Sequence, residues 1–236
     1  MNAEIHTKNE NMTIQEQIRQ EQEAQLAAPH KPQQRVVQAI SHLLHPLFML
    51  TVAALVICRY TPFMLFSYRL KAFFVGEVAF FTFLMPVLII TLLHVFHVIG
   101  HWALRDVRDR TIPFLTNFVC YLTNYMVLRN QEFIPYWVLV PYFGSVILTF
   151  VAWIVSFWWK ISAHTSAASA MMTFVVLQYL TLPEVMPLWL VFASVIMVGG
   201  LCSIRVYLGR HTMAQVGAGV ALGIVSILIG KMVCVG

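Results

Sequence analysis

Seven apolar runs dominate this chain, at about 40–59, 73–98, 112–128, 136–159, 166–182, 186–204 and 212–235, with only short polar segments between them. A helix needs roughly 20 mostly apolar residues to cross a bilayer, and runs of about that length fill nearly everything after residue 38. Composition agrees: of 236 residues 59% are hydrophobic and 11% charged, against about 25% charged in an ordinary soluble domain. Such a chain cannot cover a water-facing surface, so lipid must be much of its solvent. The expected fold is all-α, a polytopic transmembrane bundle of six to seven spans. The third run is the weakest because Thr116, Asn117, Thr123 and Asn124 dilute it, and the count falls to six if it is re-entrant.

Residues 1–38 differ in kind. They are polar and rich in Gln, Glu and Asn, and read as a largely mobile tail, helical in part from about Ile14 to Leu26, ahead of a membrane domain at 39–236. No apolar core follows a basic start, so the tail does not read as a signal peptide. Cys58, Cys120, Cys202 and Cys234 sit in or beside apolar runs without a CxxC pair, which suits reduced thiols packed as small hydrophobes. Small residues mark close helix contacts, namely Ser166 to Ala170 and the pair Gly219 and Gly223, four apart. The formal charge of +5 accompanies no basic helix interleaved with aromatics, so nucleic acid is not an expected partner. Lipid headgroups or an anionic substrate are the natural counterparts of this charge.

Three polar segments gather the chemistry: Arg105 to Pro113, Lys160 to Thr165, and Arg205 to His211 with Thr212 to Gln215 behind it. Two spans separate the first from the second, and two more separate the second from the third. Each pair of crossings returns the chain to its starting side, so all three segments share one membrane face. On that face lie Arg105, Arg108, Arg110, Arg205, Arg210, Lys160, His164 and His211. Arginine forks suit phosphate because several N–H groups can meet its oxygens together. His164 and His211 head the fifth and seventh runs, where free backbone N–H groups and the helix dipole favour anions. Two histidines can divide the work of phosphoryl transfer, one attacking phosphorus and one protonating the leaving oxygen. Arginines would hold the developing charge without a metal.

The three segments resemble the motifs of the type 2 phosphatidic acid phosphatase superfamily, KxxxxxxRP, PSGH and SRxxxxxHxxxD, over residues from about 100 to 225. The resemblance implies a metal-independent membrane phosphatase, without cofactor, that hydrolyses a lipid phosphate or lipid pyrophosphate through a phosphohistidine. It implies His211 as nucleophile, His164 as general acid, and Arg205 and Ser162 on the phosphate. Arg105 stands at the motif lysine and Pro113 at its proline, while Ile112 occupies the arginine position and Arg110, two residues earlier, is the candidate replacement. Ile204 replaces the motif serine, and Gln215 replaces the aspartate that orients and charge-stabilises the histidine. Gln215 can accept a hydrogen bond but carries no charge; the same exchange in a serine protease costs roughly 10⁴ in turnover. Thr212 to Gln215 also fits a capping box.

Two alternatives stand beside this. Gln215, Ile112 and Ile204 suit a weak or inactive family member that binds lipid phosphate or has a structural role. His94, His97 and His101, spaced i, i+3, i+7, with His42 and His45 at the first run, suit a metal site. The expected setting is a multi-pass protein of the bacterial inner membrane with a membrane lipid as substrate. The parity argument puts the tail on the same side as the site, but which side that is, the lipid concerned and the oligomeric state stay open. Glu77, at membrane depth in the second run, should face the bundle or a cavity.

Overall fold

A computed structural model describes the backbone of residues 32–96 and 107–235 and the side chains of 36–96 and 111–235. The chain divides into two units, residues 1–40 and 41–236. The described part of the first is the opening of helix α1, Pro32–Leu43. The tail expected over 1–38 therefore turns helical at Pro32, while the helix expected over 14–26 lies outside the described residues.

In the second unit α2 is Pro46–Tyr60 and α3 is Tyr68–Val95. After them come α4, Val107–Arg129, α5, Val140–Val155, and α6, Ala163–Thr181. The chain closes with α7, Leu188–Tyr207, and α8, Met213–Cys234. No strand occurs among the described residues. The first apolar run is two helices rather than one. Pro46 has no N–H to continue α1 and is well placed in the first turn of α2. Within α3 the residues Phe80–Leu84 form a π-turn, just before Pro86, whose missing N–H cannot close the regular ladder.

Every expected span contains a helix, but fewer than seven are apolar enough to cross a membrane on length and composition. Four are: Tyr68–Val95, Tyr136–Val155, α7 and α8; Val36–Leu43 with Pro46–Tyr60 makes a broken fifth. Those that fall short are α4 and α6, and the structure gives the reason. In α6 the polar side chains Thr165, Ser166, Ser169, Thr173 and Gln178 are buried, as are Thr116 and Asn124 of α4. These polar side chains pack against other helices, while α4 exposes Leu115, Val119 and Met126 on its opposite face. The peripheral helices do the opposite and expose Phe73, Leu84 and Leu88 of α3 and Phe192 and Ile196 of α7, an apolar exterior suited to lipid.

Glu77 has a partner that the sequence did not reveal. Gln131, in the α4–α5 connection, donates from Nε2 to Glu77 Oε2 at 2.6 Å.

The closest packing joins α6 to α8. A Cβ on Gly223 would run into Ser169 Oγ and the Ser166 carbonyl, and would lie 2.8 Å from the Ala170 nitrogen. Thr165 Oγ1 donates across the same seam to the Val216 carbonyl at 3.3 Å. Small residues at this spacing let backbones touch, which is how helices associate where lipid removes the hydrophobic drive. Replacing Gly223 by Leu should therefore cost about 1–3 kcal/mol, read as a lower midpoint in thermal unfolding in detergent. Gly217→Leu is the control and should leave the midpoint in place, because nothing lies within 4 Å of a Cβ there.

Candidate functional site

Four helix ends meet at one end of the bundle, and each is shaped by its local sequence. At the start of α2 the N-cap is His45, whose Nδ1 accepts the Leu47 N–H at 3.3 Å. At the start of α6 Ser162 is extended, with φ −87° and ψ 103°. Its carbonyl accepts from Thr165 Oγ1 at 3.1 Å and Ser166 Oγ at 2.9 Å. The end of α7 is turned by Gly209 at φ 61°, in the left-handed region that glycine enters without penalty. Arg210 N–H then donates to the Arg205 carbonyl at 3.1 Å and Gly209 N–H to that of Val206 at 2.9 Å, the paired bonds of a Schellman ending. His211 N–H also reaches the Arg205 carbonyl, at 3.3 Å, so the turn ties the histidine to the arginine through the backbone.

At the start of α8 the capping box forms as expected. Thr212 Oγ1 accepts the Gln215 N–H at 3.3 Å, and Gln215 Oε1 accepts the Thr212 N–H at 3.2 Å. The same Oε1 lies 3.2 Å from His211 Nδ1. Gln215 therefore caps the helix and holds the imidazole with one oxygen, and the Thr212 N–H identifies that atom as the carbonyl oxygen of the amide.

Of the expected site residues, His164, His211, Gln215, Arg205 and Ser162 come together here. Arg205 Nη1 donates to Ser41 Oγ at 3.3 Å, and the positive charges of Arg205 and His211 act on His164. Arg105 and Asp106 lie outside the described residues, as do His97 and His101. Arg108, Asp109 and Arg110 fall in the first turn of α4, their side chains also outside them, and Pro113 is inside that helix. Phe114, one turn after Arg110, lines the same apolar pocket of ≈ 50 Å³ as Pro46 and Ala163, so α4 begins at the site end of the bundle.

The structure adds residues to the site that the motifs did not name: Ser41, His42 and His45. The His45 ring meets that of His164 edge to face, with centroids 5.4 Å apart and planes at 78°. A signal was present, because two runs lie between His45 and the first polar segment, and the same parity places them on one face. Among the described residues no three His, Cys, Asp or Glu side chains are grouped to hold a metal ion. Of the candidate metal ligands, His42 and His45 instead stand by His164 and Arg205.

The electrostatics are one-sided. His164, in the first turn of α6 ahead of the apolar stretch, and His211, in the α7–α8 connection, both lie outside the apolar runs. Burial, then the Arg205 guanidinium and the neighbouring histidines, pushes His164 down to about 3. Burial, then Arg205 and Lys160, pushes His211 down to about 4, against hydrogen bonds to Gln215 and the Lys160 backbone that favour its charged form. Among the described residues no carboxylate acts on either ring. Two buried donors, Ser162 Oγ and Arg205 Nε, have no hydrogen-bond partner among the described residues. Donors and cations gathered in this way have the chemistry to hold an anion.

The chain matches no family model, no curated protein and no solved structure.

Two measurements check these electrostatics. Both histidines have folded-state pKa values below the ordinary 6.5, so on acidification the unfolded chain binds protons first. The stability they contribute is complete above about pH 6.5 and is lost as pH falls through the folded values. The unfolding midpoint should thus drop between pH 6.5 and 4, and the drop should be shallower in His211→Gln. Gln215→Glu keeps the length and adds a charge beside the ring. It should raise the His211 pKa by roughly 1–3, read by NMR titration of the imidazole.

Proposed function

We propose that this protein is a metal-independent membrane phosphatase, similar in its motifs to the type 2 phosphatidic acid phosphatase superfamily, acting on a lipid phosphate or lipid pyrophosphate. The observation that carries the reading is the convergence of His164, His211, Arg205 and Ser162, rich in donors and with no carboxylate among the described residues acting on either ring. In this reading α4 and α6 also cross the membrane, their polar side chains screened from lipid by neighbouring helices, which makes six or seven spans. The substrate enters from the bilayer, its phosphate at the helix ends and its apolar part along the bundle.

The roles in this reading are those the motif resemblance implies, and the contacts of Gln215 and His211 support them. Gln215 Oε1 accepts His211 Nδ1–H, and Nε2 then carries the lone pair that attacks phosphorus. Arg205 and Ser162, with Arg110 and Arg105 of the first segment, hold the oxygens where charge grows in the transition state. His164 gives a proton to the departing oxygen of the lipid. It then takes one from the water that attacks the phosphohistidine and releases phosphate. Gln215 orients the nucleophile without a negative charge to offset the imidazolium, so this is a slow enzyme relative to one with a carboxylate there.

One observation favours a second reading. Gln215 Oε1 is shared between the cap and His211 and brings no charge to the ring, and a member that binds lipid phosphate with little turnover needs no more than that. Phosphate release from a panel of lipid phosphates by purified protein, with chelator present, separates the two. A phosphatase should release phosphate despite chelator and lose at least about 10³-fold of that rate in His211→Ala. Folded protein that releases none from any lipid has the binding role.

A further inference from the structure

The empty site poses a chemical problem. A general acid must hold a proton before it can give one, yet burial and the Arg205 charge hold the His164 imidazole near 3. Near neutral pH it is therefore uncharged until something compensates those forces. A phosphate dianion does. At an effective dielectric of about 20, each unit of negative charge at about 4 Å raises a pKa by roughly three, enough for a dianion to carry His164 past neutrality.

The structure also shows which of the two facing rings takes the proton. His45 Nδ1 accepts the Leu47 N–H that opens α2, so neutral His45 keeps its hydrogen on Nε2. A second proton would have to sit on Nδ1, against that N–H, and would undo the cap. His164, across the edge-to-face contact, has no such commitment. The titratable and charged groups that act on it are Arg205 of α7, His45 at the N-cap of α2, His211 of the α7–α8 connection and His42 of α1. None of these is acidic, so among the described residues no counter-charge answers them and a bound anion would supply it.

We propose that anion binding at this site is coupled to proton uptake by His164, and that His45 is a positioning residue, kept neutral by the cap of α2 and shielding the His164 ring. The ligand is a tetrahedral oxyanion, the chemistry shared by a lipid phosphate and free phosphate, and the inference rests on the phosphate-site reading above. It makes the substrate load its own general acid, so an empty site holds no proton to lose and an uncharged lipid does not arm it.

Calorimetry tests this with inorganic sulfate, a dianion that does not itself titrate near neutrality. Sulfate is bound to the full chain in detergent at pH 6, in buffers of different ionisation enthalpy. The wild-type protein should take up about one proton or more per sulfate, and His164→Gln should take up about one fewer. His45→Asn keeps an acceptor for the Leu47 N–H and should leave the unfolding midpoint unchanged. Without the ring one of the causes that lower His164 is gone, so without anion its imidazole should titrate higher than in wild type, read by NMR.

Sulfate binding without proton uptake, or no binding, overturns the coupling. A His164 titration in His45→Asn equal to wild type reduces His45 to a cap and overturns its positioning role. Two arms distinguish this inference from the phosphatase reading. Protein that binds sulfate with uptake but releases no phosphate from any lipid phosphate loses the enzyme and keeps the coupling. Protein that turns over lipid phosphate but binds sulfate without uptake does the reverse. A vesicle arm with phosphatidic acid and an uncharged diacylglycerol shows whether a headgroup phosphate couples as sulfate does; only the former should take up a proton.

Discussion

The close approach of α6 and α8 is the contact on which the site depends. His164 opens α6 and His211 stands two residues before α8, so the seam between these helices sets the separation of the two imidazoles. Gly219 and Gly223 leave room on α8 for the Ser162, Thr165, Ser166 and Ser169 face of α6. Most hydroxyls on that face turn back to carbonyls of their own helix, as Ser166 does to Ser162 and Thr173 to Ser169, which lets these polar side chains lie in a dry interface; Ser162 Oγ is left without a partner among the described residues. A helix too polar to face lipid thus becomes a well-buried one, and its polar start lies at the candidate site.

Around that start the charge is unbalanced. Cations and donors from α1, α2, α6, α7 and α8 meet with no acid to answer them among the described residues, and the histidines yield by staying neutral. Burying charge without a counter-ion is costly, and a bound anion would offset that cost. Gln215 bears on the same balance: an aspartate there would partly neutralise the pocket, while the amide leaves its positive charge in place and gives less help to an imidazolium. In the proposed reading, affinity for an anion and stabilisation of a charged histidine pull in opposite directions at this one position.

The all-helical character, four to five apolar helices long enough to span a membrane and the position of nearly every helix were legible because lipid imposes strong rules on sequence. Long apolar runs leave few choices of structure. The count of spans was less legible: α4 and α6 carry polar side chains that are buried against other helices, and they fall short of a span on length and composition. His211, His164 and Arg205 were legible from motif spacing, which counts positions along a helix end. His45 was visible only as a lone histidine near a proline, and its role emerged from a contact with a residue 119 positions later in the chain. The Glu77 partner was hidden for a similar reason, since Gln131 sits in a connection with no pattern to mark it.

The sequence by itself determined that this is a helical chain with several helices apolar enough to span a membrane, and where those helices lie. Those properties are local, and the solvent enforces them. The tertiary structure decided which polar side chains are buried between helices and that Ser41, His42 and His45 stand by Arg205 and His164. It also decided that one oxygen of Gln215 serves both a cap and a histidine, and that no carboxylate among the described residues answers the charge there. Those depend on distances between segments far apart in the chain, which packing sets and no local pattern encodes.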